Sequence, residues 1–134
     1  MKKTLLIVLL LSFGFSQQII HTETYKNGNI KSITYHKKSR TGIEKIKYEE
    51  YYENGEKEEE GTYKDGKRNG LLTTWYENGQ KEYEWTYKDW ILDGKWTEWY
   101  ENGQKKEEGT YKNWQLDGLY TIWYENGQKE KEGT

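Results

Sequence analysis

The stretch from Leu71 to Lys88, LLTTWYENGQKEYEWTYK, decides how this chain folds. Two runs rich in Thr, Tyr and Trp, residue types that favour extended strands, flank Asn78-Gly79. Asn-Gly between such runs is the strongest short hairpin signal, because a type I′ turn needs φ > 0 at both central residues. The spacing predicts two antiparallel strands, Leu71–Tyr76 and Lys81–Lys88. Helix is disfavoured: the chain has no alanine, and its recurrent glycines would interrupt it.

Working outward, the same phrase returns every 24 residues. Tyr52-Glu53-Asn54-Gly55, Tyr76-Glu77-Asn78-Gly79, Tyr100-Glu101-Asn102-Gly103 and Tyr124-Glu125-Asn126-Gly127 keep the beat without drift. Tyr63, Tyr87 and Tyr111 keep it too, as do Gly70, Gly94 and Gly118. A fixed period of this length marks a stacked array of one small unit. The fold class expected is all-β: an elongated antiparallel meander of repeated β-hairpins. Two strands per unit advance the array about 10 Å per repeat. Absence of proline suits an uninterrupted sheet.

A two-residue loop at Asn78-Gly79 would pair Tyr76 with Lys81, Thr74 with Tyr83, Leu72 with Trp85 and Gly70 with Tyr87 on one packed face. Trp75 would oppose Glu82 on the other face, with Thr73 against Glu84 and Leu71 against Thr86. The same register sets Tyr48 opposite Gly61, Trp96 opposite Gly109 and Tyr120 opposite Gly133. A ring lying over a glycine fills a fixed space, and in the second unit the sizes invert, with Leu72 opposite Trp85. Two pairs, Glu50 with Glu59 and Glu98 with Glu107, oppose like charges and need cations nearby.

Three parts are expected along the chain. Residues 1–16 read as a signal peptide: Lys2 and Lys3 precede the apolar run Leu5–Leu11, and Gly14 and Ser16 set a cut before Gln17. The run is too short to span a bilayer, so no integral membrane span is expected. Residues 17–51 hold a degenerate first repeat, with Tyr25-Lys26-Asn27-Gly28 as its turn, of the kind that caps an array. Residues 52–134 hold the regular repeats, the last one partial. The expected location is secreted, periplasmic or in a bacterial cell envelope.

The phrase Tyr63-Lys64-Asp65-Gly66-Lys67-Arg68-Asn69-Gly70, followed by Trp75-Tyr76-Glu77-Asn78-Gly79-Gln80-Lys81, resembles a MORN repeat. It is most similar to the bacterial MORN variant repeat of proteins labelled YwqK-type antitoxins. The resemblance covers residues 25–134. It implies β-hairpin arrays and protein-interaction roles, and lipid binding has been proposed elsewhere in the family. The antitoxin label implies a cytoplasmic partner, which a signal peptide contradicts. Trp90 and Trp114 depart from the pattern, standing where the first regular loop has Gly66.

The composition argues against several kinds of chemistry. Only 32% of residues are hydrophobic, but 16% are aromatic, so rings and glycines must do the packing. The net charge is -2, and loss of Lys2 and Lys3 would take it to -4, which discourages nucleic acid as a partner. No cysteine is present, the only histidines are His21 and His36, and the last serine is Ser39. A Ser-His or Cys-His pair cannot be built in the regular array, and the protein is expected not to be an enzyme. The recurring glutamates lie opposite lysines and read as a solvated, charge-paired face. Asp65, Asp89, Asp93 and Asp117 lack the ligand spacing of a calcium loop and read as turn formers. No metal and no cofactor is expected.

The expected function is an exported scaffold binding a protein partner or itself, with a cell-surface polysaccharide-binding module or an antitoxin-like partner-binding protein as the alternatives. Two surfaces are candidates. Tyr51, Trp75, Trp99 and Trp123 form a row, one per unit, on the polar face. Such rings can stack on sugars or on a partner, or can pack on Lys and Glu stems and stiffen the sheet. Trp90 and Trp114 bring apolar side chains into loops, where they either fold over the packed face or serve binding.

Overall fold

The computed structural model describes residues 4–7 and 18–134. Twelve strands form one antiparallel sheet: β1 (Thr4–Ile7), β2 (Gln18–Thr24), β3 (Ile30–Lys38), β4 (Ile43–Tyr51), β5 (Lys57–Lys64), β6 (Lys67–Trp75), β7 (Lys81–Lys88), β8 (Ile91–Trp99), β9 (Lys105–Lys112), β10 (Gln115–Leu116), β11 (Tyr120–Trp123) and β12 (Lys129–Gly133). Sequence order is spatial order, except that the short β10 shares β9 with β11. The expected meander of hairpins is therefore present. The leader expected at residues 1–16, with its cut before Gln17, lies outside the described residues apart from β1, which pairs with β2.

The register agrees with the sequence reading away from the turns. Gly70 lies opposite Tyr87, Leu72 opposite Trp85 and Thr74 opposite Tyr83. Tyr48 faces Gly61, Trp96 faces Gly109 and Tyr120 faces Gly133. At Gly109 an added Cβ would lie 2.8 Å from the Trp96 indole nitrogen, and at Gly133 2.8 Å from the Tyr120 ring. Glycine is required there because the ring occupies its side-chain space. At Gly61 the same space is closed by Arg68 and Leu72, while the Tyr48 hydroxyl donates to Glu50.

The turns differ from expectation. The Asn-Gly turns are not two-residue type I′ loops. Tyr76 N–H donates to Gln80 O, Gly79 N–H donates to Tyr76 O, and only Gly79 has a positive φ, of 81°. This is a three-residue loop, a type I turn closed by a glycine bulge. The cause is the asparagine side chain: Asn78 Oδ1 accepts from Gln80 N–H at 2.9 Å, an Asx turn that competes with the I′ geometry. Trp75 therefore pairs with Lys81, not Glu82, and a second irregularity between Thr74 and Trp75 restores the register. The I′ signature of two positive φ angles falls instead at the opposite edge, at Asp65-Gly66 (50° and 75°), Asp89-Trp90 (51° and 73°) and Asn113-Trp114 (52° and 66°).

Each Asn-Gly turn is clamped to the next. The hydroxyls of Tyr25, Tyr52, Tyr76 and Tyr100 donate to the carbonyls of Tyr51, Trp75, Trp99 and Trp123 at 2.6–2.8 Å. The amides of Asn29, Asn54, Asn78 and Asn102 donate to the carbonyls of Glu53, Glu77, Glu101 and Glu125 at 2.9–3.0 Å. From Tyr52 onward the Tyr-x-Asn-Gly phrase thus both turns the chain and locks successive units, while in the first turn Asn29, just after the glycine, makes the locking bond in place of Asn27.

Packing is thin, as a single sheet requires. Leu72, Leu92 and Trp96 are the buried hydrophobic residues among those described. Around them runs an aromatic ladder, in which Trp85 meets Tyr83 and Tyr87, and Trp96 meets Tyr111 at 5.7 Å. The like-charged pairs Glu50/Glu59 and Glu98/Glu107 do form, and Arg68 on Glu59 and Lys106 on Glu98, both at 2.7 Å, supply the cations. Burial, then the nearby Glu98, still raises the Glu107 carboxyl above its ordinary range.

Candidate functional site

The row of rings on the polar face exists, but it is covered. Tyr51, Trp75, Trp99 and Trp123 are all half-buried. Lys57, on the preceding hairpin, sets its ammonium 5.5 Å from the centre of the Trp75 ring; Lys81 does the same for Trp99 at 5.6 Å, and Lys105 for Trp123 at 5.7 Å. Each lysine is also paired with a glutamate three residues on, namely Glu60, Glu84 and Glu108. The three tryptophans of the row therefore form a ladder of cation–π contacts held by ion pairs, the arrangement in which rings stiffen the sheet.

Tyr51 belongs to a cluster that the repeat pattern did not single out. The buried Glu49 carboxylate accepts from the Tyr35 hydroxyl at 2.8 Å and the Tyr51 hydroxyl at 3.0 Å. The Lys47 and Lys57 ammonium groups lie 2.9 and 3.3 Å away. Burial alone would raise this carboxyl, but the hydrogen bonds from Lys47, Tyr35, Tyr51 and Lys57 outweigh it and hold it at about 2. Burial, then the bond to Glu49, pushes the Tyr35 and Tyr51 phenols up to about 12. A carboxylate saturated in this way is a poor proton acceptor and serves as a structural pin. The signal in the sequence is a break in a column: Thr73, Thr97 and Thr121 stand where Glu49 stands in the first unit.

The loop edge is different. Trp90 and Trp114 hold left-handed backbone, where a side chain is disfavoured and where Gly66 serves the equivalent turn. Their rings stand edge-on to Tyr63 and Tyr87, at 6.0 and 6.2 Å, so each touches the packed face. Even so, Trp90 is 48% and Trp114 56% exposed. Ile91 and Leu116 beside them are exposed too. The backbone N–H of Trp90 donates to Arg68 O at 2.9 Å and that of Trp114 to Leu92 O at 3.0 Å, so successive loops are locked at one repeat's spacing. The rings lean on the packed face, as one of the two sequence readings has it, and remain open to solvent.

His21 and His36 sit on neighbouring strands, opposite Thr34 and Ile19. No group of three His, Cys, Asp or Glu side chains placed to hold a metal occurs among the described residues. No helix among them is long and apolar enough to cross a membrane.

A family model described as a MORN repeat variant matches residues 40–65, 68–89, 92–113 and 116–134. No curated protein and no solved structure matches the chain significantly.

Proposed function

Since this chain belongs to the MORN repeat variant family, a family of repeat-built binding scaffolds, we propose that it is an exported, non-enzymatic scaffold that binds protein through its loop edge. The observation behind this reading is the backbone of Trp90 and Trp114, at φ 73° and 66°. Left-handed backbone costs a side chain roughly 1–2 kcal/mol. An edge-on aromatic pair returns about 0.5–1.5 kcal/mol. Folding alone therefore gains little from tryptophan where glycine suffices, and contact with a partner gives the exposed rings a use.

The test is the double variant Trp90→Gly, Trp114→Gly. Its midpoint of thermal unfolding should stay within a few degrees of the parent, while cross-linking to a partner in the envelope fraction is lost. Cross-linking at the parent level would reject the loop edge as the binding surface. Export is checked separately, by whether protein recovered from cells starts at Gln17. An antitoxin-like role on a cytoplasmic partner has only the resemblance behind it, and recovery of the uncut chain from the cytoplasm would favour it.

The polysaccharide reading, on Tyr51, Trp75, Trp99 and Trp123, has weaker support, because a lysine already stands over each tryptophan ring. A sugar ring would have to displace that cation. If Trp99→Ala leaves retention on cell-wall polysaccharide unchanged, this reading fails.

A further inference from the structure

We propose that the slot between the turns at Asn27-Gly28 and Asn54-Gly55 binds one neutral sugar ring, stacked on Tyr51. This goes beyond the protein-binding reading and does not rest on it. Of the polysaccharide reading it keeps a single ring, and it does not need the tryptophans.

Register identifies what is missing at this boundary. Ser32 lies opposite Glu50 as Glu59 lies opposite Thr74, so Ile30 stands to Tyr51 as Lys57 stands to Trp75. Lys57, Lys81 and Lys105 cover the three tryptophans and pair with Glu60, Glu84 and Glu108. At Tyr51 both members of that pair are replaced, with Ile30 in the lysine position and Ile33 in the glutamate position. Among the described residues the neighbouring cations stand over other rings, Lys31 over Tyr25, Lys47 over Tyr35 and Lys57 over Trp75, and none over Tyr51.

A second filler is missing at the same place. At later boundaries the residue after each turn glycine reaches over the glycine of the next turn. A Cβ added at Gly79, Gly103 or Gly127 would lie 3.2, 2.9 or 3.1 Å from a side-chain oxygen of Glu56, Gln80 or Gln104. Asn29 holds that position after Gly28, but its amide is drawn into the clamp on Glu53 O at 2.9 Å. A Cβ at Gly55 would meet nothing within 4 Å. The two absences leave a cavity of about 410 Å³ lined by Gly28, Asn29, Ile30, Tyr51, Asn54 and Gly55. Small-molecule sites run from about 300 to 1,000 Å³.

The lining selects the ligand. None of its side chains is charged, so an ionic guest would find no counter-ion in it. Tyr51 and Ile30 supply an apolar floor, and the C–H face of a pyranose is apolar and flat enough to lie on such a ring. Later boundaries place an alkyl stem over the ring and an oxygen over the glycine. A sugar carries both, as ring carbons and hydroxyls. The amide oxygens of Asn29 and Asn54 are acceptors for those hydroxyls. The Tyr51 ring is held before any ligand arrives: its hydroxyl donates to the buried Glu49 at 3.0 Å, and its backbone carbonyl accepts from the Tyr25 hydroxyl at 2.6 Å. Stacking there costs little ordering and opens no clamp.

The test titrates the full chain, labelled with nitrogen-15, with glucose, with N-acetylglucosamine and with the β-linked trimer of each. Amide shifts are expected at Gly28, Asn29 and Gly55. Ile30→Lys restores the lysine found at the later boundaries; it should weaken binding about tenfold while the unfolding midpoint stays at or above the parent's. Trp99→Ala should leave the shifts as they are, which separates this slot from the tryptophan row. Equal affinity for monomer and trimer marks a free sugar as the guest, and a tighter trimer marks a glycan. No shift with any of these sugars, shifts undiminished in Ile30→Lys, or shifts centred on Trp75, Trp99 and Trp123 overturn the proposal. So does n-butylammonium binding in the slot as tightly as the sugars, because the guest would then be a lysine side chain of a partner protein.

Discussion

Replacing Trp96 by Leu and Gly109 by Trp would copy the Leu72/Trp85 pair into the boundary between β8 and β9. Each change alone should be severe. Trp96→Leu empties part of a buried site and removes the contact with the Tyr111 ring, at a cost of about 2–4 kcal/mol. Gly109→Trp adds a ring where even a Cβ would lie 2.8 Å from the Trp96 nitrogen and 3.2 Å from the Tyr120 Cβ. Overpacking of that kind costs about 3 kcal/mol or more. The simple sum, about 6 kcal/mol, would consume most of the stability of a domain this size. If the two positions share one volume, the double variant instead stays within about 2 kcal/mol of the parent. The coupling energy would then be about 4 kcal/mol, far above the additive error of independent sites. The assay is thermal and urea unfolding followed by far-UV circular dichroism, since tryptophan fluorescence changes with the substitutions. About 4 °C per kcal/mol makes the two outcomes easy to separate. A double variant as unstable as the sum of its parts would refute volume exchange as the basis of the packed face.

The clamp and the buried pin give two further expectations. Asn102→Ala loses both the bond to Glu125 O and the Asx bond from Gln104, and should cost about 1–2 kcal/mol. Asn126→Ala loses only the Asx bond from Gln128, and should cost about half as much; equal shifts in the unfolding midpoint would deny the clamp any role. The Glu49 carboxyl is held below its unfolded value, at about 2 against 4.5, so its contribution is fully present above about pH 4.5 and is lost as pH falls towards 2. Acid unfolding measured across that window should flatten in Glu49→Gln, and an unchanged slope would show that the carboxylate is not the group responsible.

The sequence was most legible where space is fixed and least where local hydrogen bonds decide. The pairing of Leu72 with Trp85, read from a two-residue Asn78-Gly79 loop and supported by the recurrence of large against small side chains, survives the three-residue loop because the irregularity between Thr74 and Trp75 restores the register. The type I′ turn expected at Asn-Gly is absent there and occurs at the opposite edge, for a local reason. Asn78 uses its side chain on Gln80 N–H, which its neighbours in sequence do not announce, while Asp89-Trp90 adopts a geometry that residue statistics assign to glycine. The covered state of the tryptophan row was hidden for a third reason. Lys57 and Trp75 are eighteen positions apart and meet only because one hairpin leans on the next.

Those lysines also bear on where a partner can act. Stacking on Trp99 would mean displacing the Lys81 ammonium, losing a cation–π contact of about 0.5–1 kcal/mol together with the geometry of the Lys81–Glu84 pair. A ligand spanning the row would meet that cost again at Trp75 and Trp123. The Asn-Gly edge is committed to its clamps, and opening it loosens neighbouring units. At the loop edge the rings are already half in solvent, and the Trp90 and Trp114 N–H groups hold the loops at a fixed spacing before any partner arrives. A partner gains apolar contact there while breaking nothing in the sheet, so binding at that edge can be strong without loosening the array.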